Sequence, residues 1–416
     1  MKVLVNDHSG HAFPVHLSRQ LAKSGYNVVH TYSANFQSPK GNFFLPVELK
    51  SCLKIIPIYY NKEFNKYSIV SRRKQEFEFA NKLIKEIEDF NPEVIINCNT
   101  PLFAQDKIQR YCLKHNIKFI FWCQDAYSIA ITKILQSKLG FIGGYVGKYF
   151  QQLERRQLRN SHHIVSITPD FDKLFRKWKI DPDKITVIPN WAPLEEIPVT
   201  EQKNSWSKAN GLDSYFCFIY SGTLGLKHNP DLLLNLATHF EKSTEVRVVV
   251  ISEGVGADYL KKKITEKKIQ NLIVLPFQKF IDLPNVFGTA SVLVGVLEPE
   301  AGVYSVPSKI LAYMCAGKPI LLSVPFDNLS SKIIINNQAG ICSEPGNLKE
   351  FIECAERLYL DQRLRLSTGM NARKYAQENF DIEAICKRFI RIIEQLRNND
   401  KIAVQSGTKF NYVLIK

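Results

Sequence analysis

Residues 220–230, YSGTLGLKHNP, combine residue types and a spacing that suit an anion. A β-branched run ends near Gly222, a turn passes through Gly225 and Lys227, and a helix is predicted from Pro230. Glycines let the backbone approach an anion, a helix start offers free N–H groups, and Lys227 adds a full charge. The segment predicts a phosphate site, although an ordinary strand-to-helix turn with a solvated lysine has the same pattern.

Residues 303–317, VYSVPSKILAYMCAG, repeat the arrangement. Ser305 to Lys309 lead into a predicted helix with Pro307 near its first turn, so that N–H groups and the Lys309 ammonium group point at one anion-sized space. A diphosphate carrying a nucleoside and a sugar is the simplest ligand for both segments, although each helix start might merely be well capped. Neither segment is a Walker loop or a GxGxxG fingerprint, which argues against an ATPase and a dehydrogenase.

The elements that must position these residues follow one rhythm, a short apolar strand and then an amphipathic helix. The rhythm repeats through both halves of the chain. It predicts strands at KVLVN, YNVVHTY, EVIINC, KFIFWC, HIVSIT and KITVIPN in the first half and at YFCFIYSG, VRVVVIS, LIVLPF, SVLVGVL, KPILLSV and AGICSE in the second. A polar stretch over 192–214 lies between the two sets. This pattern predicts an α/β protein of two doubly wound, Rossmann-like domains. Because such sheets bind ligands beyond the carboxyl ends of their strands, the site is expected in the cleft between the domains.

Composition limits the class of protein. A chain of 416 residues with 45% hydrophobic and 23% charged residues is large enough for two or three domains. Nine dispersed cysteines without a Cys-x-x-Cys pair predict free thiols in a reducing compartment, and the first residues predict a strand, not a signal peptide. We therefore expect a cytoplasmic protein. No apolar run is long enough to span a membrane.

The net charge of +15 is uneven, because residues 1–200 carry 28 Lys/Arg against 18 Asp/Glu. That half is expected to face an anionic surface. Nucleic acid, acidic lipid headgroups and lipid-linked phosphates all satisfy this condition, and charge does not choose between them.

The order of these segments resembles the donor-binding domain of retaining GT-B glycosyltransferases of family 4. The resemblance rests on the glycine turn with Lys227, on VVVISEGVGADYLKKKI, on LIVLPFQKFIDLPNVFGTASVLVGVL and on PSKILAYMCAGKPIL. It is most similar to the subgroup that builds colanic acid, O-antigen and capsular polysaccharides. In the first half, the dipeptide Gln124-Asp125 and the IPNW segment at 188–191 also fit.

The resemblance implies transfer of a sugar from a nucleotide diphosphate sugar to an acceptor hydroxyl, with retention and with neither a metal nor another cofactor. It implies that Gly222, Gly225 and Lys227 hold the diphosphate, that Ser308 and Lys309 contact phosphate or ribose, and that Phe277 flanks the base. The remaining donor-side candidates are Thr223, Glu253, Glu300, Tyr304 and Ser305. Without a metal, cations and helix dipoles must neutralise the leaving group, which makes Lys227 a catalytic candidate.

The chain departs from the family pattern at two places. Tyr304 and Ala312 occupy the positions of the two usual glutamates, although Glu298 and Glu300 lie upstream and could supply a carboxylate. Thr223 replaces the usual arginine of the first glycine loop. The contacts with the donor sugar are therefore expected to differ in detail.

Acceptor-side candidates lie in the first half: His8, Gly10, His11, Asp125 and Asn190. His8 or His11 could orient an acceptor, but a loop histidine can equally be a surface or capping residue. Asp125 ends a predicted strand and could accept a hydrogen bond or a proton from the attacking hydroxyl. Its alternative role is to cap the next helix. His11 and Asp125 join Lys227 as catalytic candidates.

A basic segment rich in aromatic residues, 131–160, follows Asp125. Its candidate membrane-facing residues are Lys133, Lys138, Phe141, Ile142, Tyr145, Lys148 and Tyr149. Cations beside exposed aromatic rings suit a helix lying on anionic lipid, whereas a core-facing helix with a solvated basic face is the alternative. We expect peripheral attachment to the inner face of the cytoplasmic membrane, where lipid-linked saccharide acceptors occur.

The sequence thus predicts a glycosyltransferase with an acceptor domain (1–195), a linker (196–214) and a donor domain (215–380). A C-terminal helix (381–398) is expected to pack back across the domains, and a tail (399–416) follows. No metal-ligand spacing is present, and no nucleic-acid partner is expected. A nucleotide-sugar epimerase of the same fold and a non-catalytic basic binding protein remain as alternatives.

Overall fold

The protein is described by a computed structural model. It covers residues 1–36, 38–60, 69–225, 228–298 and 307–405, with the side chains of 69–71 and 399–405 excepted.

The first domain is a seven-stranded parallel sheet with the order β3-β2-β1-β4-β5-β6-β7. Its strands are β1 (Lys2–Asp7), β2 (Asn27–Ser33), β3 (Leu53–Ile58), β4 (Val94–Cys98), β5 (Lys118–Cys123), β6 (His163–Ser166) and β7 (Ile185–Val187). Its helices are α1 (Ala12–Lys23), α2 (Ile69–Phe90), α3 (Leu102–Lys114), α4 (Tyr127–Asn160) and α5 (Asp172–Lys177).

The second domain is a six-stranded sheet with the order β10-β9-β8-β11-β12-β13. Its strands are β8 (Phe216–Ser221), β9 (Val246–Ile251), β10 (Leu272–Leu275), β11 (Val292–Val296), β12 (Ile320–Ser323) and β13 (Gly340–Ser343). Its helices are α7 (Pro230–His239), α8 (Val255–Lys267), α9 (Leu283–Thr289), α10 (Ser308–Cys315), α11 (Leu329–Asn336), α12 (Leu348–Leu360) and α13 (Gln362–Asn379).

Most strands are joined to the next one by a crossover helix, so the paired strands run parallel and the helices lie on the faces of the sheets. Central strands such as β4 and β11 are buried along their whole length, which fits their nearly continuous apolar sequences. The strand order reverses between β1 and β4 and again between β8 and β11. These two reversal points are where doubly wound sheets bind ligands. The predicted class, two doubly wound domains, is confirmed.

One strand of the first sheet, β3, was not among the predicted ones. It lies at the sheet edge, pairs only with β2, and contains Lys54 and Pro57. Proline donates no ladder hydrogen bond and a charged residue interrupts apolar periodicity, so edge strands give a weak sequence signal.

The linker and the C-terminal helices join the two domains. A short helix in the linker, α6 (Ser205–Ala209), packs on α9, and Glu196 accepts a hydrogen bond from Arg19 at 2.9 Å. Helix α14 (Ile382–Gln405) follows α13 and returns to the first domain, where the Phe389 and Trp122 ring centroids lie 4.9 Å apart. A direct ion pair, Lys332 Nζ to Asp170 Oδ1 at 3.2 Å, also connects the domains.

Helix α4 is bent into a helical hairpin. Gly140 has φ +53° and ψ −127° in its middle, a conformation that is open to glycine and reverses the chain. We call 127–139 the incoming arm and 141–160 the returning arm. A Cβ at Gly143 would lie 2.0 Å from the Leu135 carbonyl oxygen, so glycine permits the close approach of the arms.

Candidate active site

A cleft of about 270 Å³ separates the carboxyl ends of the two sheets. Both domains line it. The lining residues used below are His11, Lys40, Asn99, Gln124, Asp125, Asn190 and Trp191 from the first domain and Gly222, Thr223, His228, Phe277, Ser308, Lys309 and Ala312 from the second. The structure therefore brings together two of the predicted anion-site segments and the predicted acceptor-side loop.

Gly222 and Lys309 are in close contact where the second domain lines the cleft. Gly222 has φ +133°, and a Cβ there would lie 3.0 Å from Lys309 Cε. The Lys309 ammonium donates a hydrogen bond to the Tyr220 hydroxyl and lies 3.8 Å from the centroid of that ring. Tyr220 in turn donates to the Thr223 carbonyl at 2.6 Å. These contacts fix the ammonium group at the end of β8.

Burial keeps Tyr220 neutral. Desolvation, followed by the nearby Tyr313 hydroxyl, raises the pKa of Tyr220 well above its ordinary value. The Tyr313 hydroxyl donates to the Ser221 carbonyl at 3.0 Å and accepts from the Ser221 N–H at 2.8 Å, which anchors the end of the strand. Of Tyr220, Tyr313 and Lys309, it is therefore Lys309 whose side chain carries a full charge.

Helix α10 points its N-terminus at the same space. Its N-cap is Pro307, whose side chain cannot accept a hydrogen bond from the first turn, and that turn contains no acidic residue. The N–H groups of Ser308 and Lys309 and the positive end of the helix dipole therefore face the cleft. Together with the Lys309 ammonium they form a surface that favours a phosphate group.

The helix start after the first glycine segment is different. The Asn229 side chain accepts a hydrogen bond from the Asp231 N–H at 3.0 Å and so caps α7. Here the alternative of a capped helix start applies. His228 accepts a hydrogen bond from the Gly225 N–H at 3.1 Å and lines the cleft. It is not among the residues predicted from the sequence, and its place after Lys227 is the one local feature that could have marked it.

Four of the predicted donor-side residues, Lys227, Glu300, Tyr304 and Ser305, lie outside the described residues. Ala312, at the position of the second family glutamate, lines the cleft.

Phe277 lines the cleft near the end of β10, as a base-flanking residue would. Its N–H donates to the Glu253 carboxylate at 3.1 Å. Glu253 is itself exposed and is not among the lining residues. Its contact with the cleft is therefore indirect, through the backbone of Phe277.

Asp7 organises the loop of the first domain that faces the cleft. Its carboxylate accepts hydrogen bonds from the Ser9 N–H at 3.2 Å, the His11 N–H at 2.5 Å and the Asn99 amide at 2.9 Å. These bonds tie β1 to β4 at the reversal point and place His11 at the start of α1. Asp7 is not among the site residues predicted from the sequence.

His8 and Gly10 are placed away from the cleft lining. His8 is only 1% exposed, its Nε2 lies 2.5 Å from the Tyr60 hydroxyl, and it packs against the rings of Phe36 and Phe79. Gly10 has φ +74° and lies against Lys40. We do not include His8 in the candidate acceptor site.

Lys40 is a cleft residue that the sequence did not single out. Its ammonium donates to the Ser9 carbonyl at 3.0 Å and to the Ser33 carbonyl at 2.9 Å, and so bridges the loops after β1 and β2. The residue lies in a polar loop without periodicity, so nothing local marks it.

Asp125 is half-buried and lines the cleft at the end of β5. Within the described part of the chain, its carboxylate has no hydrogen-bond or ion-pair partner. The N-cap of α4 is Ala126, not Asp125, so the capping alternative does not occur. The Gln124 and Asn190 side chains, joined by two hydrogen bonds of 2.5 and 3.2 Å, line the cleft beside it.

Among the residues described, no group of three or more His, Cys, Asp or Glu side chains is placed to hold a metal ion.

The hairpin tip is a surface of apolar and basic side chains. Phe141 is 80% exposed and Ile142 69%, and Tyr145 and Tyr149 are also exposed. Lys133, Lys138 and Lys148 are exposed on the same hairpin, and the Lys148 ammonium lies 5.3 Å from the Tyr145 ring centroid. The alternative of a core-facing helix does not describe these residues. None of the helices in the described ranges has the length and apolar character to cross a bilayer.

Two family models match the chain and together cover most of it. The model for glycosyltransferase family 4 matches residues 11–196, and the model for glycosyl transferases group 1 matches residues 202–375. The chain therefore belongs to the glycosyltransferases with the GT-B fold. No curated protein matches the sequence.

Solved structures share the fold at low sequence identity. Sucrose-phosphate synthase from Thermosynechococcus elongatus superposes with a TM-score of 0.73 at 13% identity, covering 96% of this chain and 100% of that one. HepE from Anabaena, solved with UDP-glucose, gives 0.67 at 13% identity, covering 96% and 100%. WaaG, a glycosyltransferase involved in lipopolysaccharide biosynthesis, gives 0.66 at 12% identity, covering 94% and 99%.

Proposed function

We propose that the protein transfers a sugar from a nucleotide diphosphate sugar to a hydroxyl of a lipid-linked or growing envelope polysaccharide, with retention and without a metal. The observation that carries this proposal is a cleft lined by Lys309 and by the start of α10, whose proline N-cap offers no side-chain acceptor, on one side and by Asp125 on the other. An anion site and a carboxylate facing it are what such a transfer requires.

On the donor side, the diphosphate lies against Gly222, Ser308 and Lys309. As the bond between the anomeric carbon and the diphosphate oxygen breaks, negative charge grows on the leaving phosphate. The Lys309 ammonium and the positive end of α10 stabilise that charge, and they need no reorganisation because their contacts already fix them. Phe277 flanks the base at the far end of the cleft.

On the acceptor side, Asp125 receives the hydrogen bond of the attacking hydroxyl. The acceptor oxygen forms the new bond to the anomeric carbon on the face from which the diphosphate oxygen departs, as retention requires, and its proton leaves towards Asp125 or the departing phosphate. His11 and the pair formed by Gln124 and Asn190 lie beside Asp125 and orient the acceptor sugar.

We place the enzyme peripherally on the inner face of the cytoplasmic membrane, where a lipid-linked acceptor would be presented. The exposed aromatic residues and lysines of the hairpin tip support this placement. Of the proteins that share the fold, HepE was solved with UDP-glucose, and WaaG is involved in lipopolysaccharide biosynthesis. Both agree with the proposed nucleotide-sugar donor and envelope acceptor.

A thermal-shift panel with UDP, GDP, ADP, dTDP and CMP tests the donor site. A nucleotide at about 100 times its dissociation constant should add about 2.7 kcal/mol to the folded state, enough to raise the Tm by a few degrees. Lys309→Ala should weaken the affinity for the nucleotide that binds by about 10- to 100-fold, because the substitution removes a charged hydrogen bond to phosphate.

The matched control is Lys349→Ala, which removes an exposed lysine of the same domain outside the cleft. It should leave the nucleotide shift unchanged. No shift with any nucleotide, or equal shifts in wild type and Lys309→Ala, would contradict the proposed donor site.

A further inference from the structure

Glu154 is a buried carboxylate in the returning arm of the hairpin, and it has no role in the function proposed above. It is 1% exposed. Its two oxygens accept hydrogen bonds from the Tyr127 N–H at 3.1 Å, the Ser128 N–H at 3.0 Å and the Ser128 hydroxyl at 2.5 Å. All three donors belong to the first turn of the incoming arm, two to three residues after Asp125.

These bonds replace a missing local cap. The first N–H groups of a helix have no partner within the helix, and a side chain at the N-cap usually accepts from them. The N-cap of α4 is Ala126, whose methyl group accepts nothing. A carboxylate 26 residues further along the chain therefore holds the start of the helix that begins where Asp125 enters the cleft.

The two arms are fixed to each other, so the position of Glu154 is well defined. A Cβ at Gly147 would lie 2.5 Å from Thr132 Cγ2, and the Thr132 hydroxyl donates to the Ser128 carbonyl at 2.6 Å. The Gln151 amide donates to the same hydroxyl at 3.1 Å. The lower part of the hairpin is thus a continuous packed unit from Gln151 to Ser128.

We infer that Glu154 is a positioning residue, which directs the Asp125 carboxylate into the cleft by holding the first turn of α4. This inference rests on the proposed function, because it needs Asp125 to act on the acceptor hydroxyl. Burial raises the pKa of Glu154 to about 7, and the charge of Asp125 adds to this rise, so the two carboxylates influence each other.

Replacement by glutamine isolates this role. Glu154→Gln keeps the size of the side chain but turns one oxygen into an NH2 group, which faces N–H and O–H donors and cannot accept from them. The first turn of α4 then loses part of its cap, and the Asp125 carboxylate loses its fixed direction. A displacement of this kind at a reacting group lowers kcat by about 10- to 100-fold.

The experiment is a double-mutant cycle with Glu154→Gln, Asp125→Asn and the double variant. Transfer of labelled sugar is measured from UDP-glucose, UDP-N-acetylglucosamine, GDP-mannose and dTDP-rhamnose. Each donor is tested with a lipid extract of bacterial cell envelopes as acceptor. If Glu154 acts through Asp125, the double variant should transfer at the rate of Asp125→Asn, within a factor of about two. KM for the nucleotide sugar should change by no more than about twofold in Glu154→Gln.

The matched control is Gln157→Leu, one turn further along the returning arm. Gln157 is also buried, but its amide donates to the Leu102 carbonyl and not to the start of α4. Gln157→Leu should keep kcat within a factor of about two of the wild-type value even where its loss of Tm is as large as that of Glu154→Gln. Hydrogen exchange gives a readout without activity: amides of residues 126–129 should exchange faster in Glu154→Gln and not in Gln157→Leu.

Two results would overturn the inference. One is a double variant whose transfer rate falls by the product of the losses seen in Glu154→Gln and in Asp125→Asn. The other is hydrogen exchange at residues 126–129 that is the same in Glu154→Gln as in the wild type. Should Glu154→Gln not fold, Ser128→Ala removes only the hydroxyl bond and should give a smaller loss of the same kind. A wild type without transfer from any donor, but with faster exchange in Glu154→Gln, would contradict the proposed function while leaving the cap itself in place.

Discussion

At the scale of single residues, the site depends on close packing between a glycine and a lysine. Gly222 combines a φ of +133°, which side chains rarely adopt, with a Cβ position 3.0 Å from Lys309 Cε. A methyl group there strains the backbone and displaces the lysine that is proposed to hold the diphosphate. A side chain at position 222 should therefore affect both the stability of the fold and the proposed donor site.

Gly222→Ala should therefore weaken nucleotide binding as well as lower the Tm. Gly346→Ala is the control, because Gly346 also has a positive φ, +85°, but has open space around its Cβ position. Both variants should lose about 1–3 kcal/mol of stability from backbone strain. Calorimetric titration should show weaker nucleotide binding only for Gly222→Ala, and equal affinities would refute the argument.

The sequence marks the residues whose role depends on near neighbours, and it misses those that act across the chain. Ser308 and Lys309 could be found because a lysine, a proline and a helix start are adjacent. The Glu154 cap joins residues 26 positions apart, and Lys40 reaches the cleft through carbonyls of two other loops. No local pattern encodes such contacts, because they exist only once the sheets have formed.

At the scale of elements, the strand pattern was predictable and the hairpin was not. Buried parallel strands are continuous apolar runs, so the strands of the second sheet were all anticipated from the sequence. The sequence of segment 131–160 indicates basic and aromatic residues on one segment, but it does not indicate that Gly140 reverses the chain and projects the aromatic residues at a tip. A single glycine within a helical pattern does not distinguish a tolerated residue from a reversal.

The hairpin tip should bind anionic vesicles. Each lysine near an anionic bilayer contributes about 1 kcal/mol, and the aromatic residues add buried apolar area. Flotation should recover the protein with phosphatidylglycerol vesicles and much less with phosphatidylcholine vesicles. Phe141→Ser with Ile142→Ser should abolish most of this binding.

The control for this surface replaces exposed apolar residues elsewhere. Leu366 and Met370 are 61% and 73% exposed on α13 of the second domain. Leu366→Ser with Met370→Ser should leave flotation unchanged. Equal recovery of both double variants with anionic vesicles would show that the tip is not the lipid-binding surface.

At the scale of the whole molecule, buried histidines make the first domain sensitive to acid. Burial lowers the pKa of His16 and of His163 to about 4 and that of His30 to about 3, and neighbouring cations add to each shift. The unfolded chain, with histidine pKa values near 6.5, binds these protons first. Their contribution to stability is therefore present above pH 6.5 and is lost as the pH falls towards 4.

The raised pKa of Glu154 has the opposite effect on the pH dependence of stability. Its raised pKa, about 7 against 4.5 in the unfolded chain, means that its contribution is present below pH 4.5 and is lost as the pH rises through 7. Denaturation followed by tryptophan fluorescence from pH 5 to 7 should therefore show a smaller rise of stability with pH in His163→Gln and a steeper rise in Glu154→Gln. Parallel curves for wild type and both variants would refute these assignments.

The most direct test of the whole account is transfer of labelled sugar. Purified protein is incubated with each of the nucleotide sugars UDP-glucose, UDP-N-acetylglucosamine, GDP-mannose and dTDP-rhamnose and with an envelope lipid extract, and label is counted in the lipid and in the nucleotide fractions. The account predicts that one donor labels the lipid, releases an equal amount of nucleoside diphosphate, and does so far more slowly in Asp125→Asn. Conversion of a nucleotide sugar to its epimer without acceptor, or no labelled lipid with any donor, would contradict it.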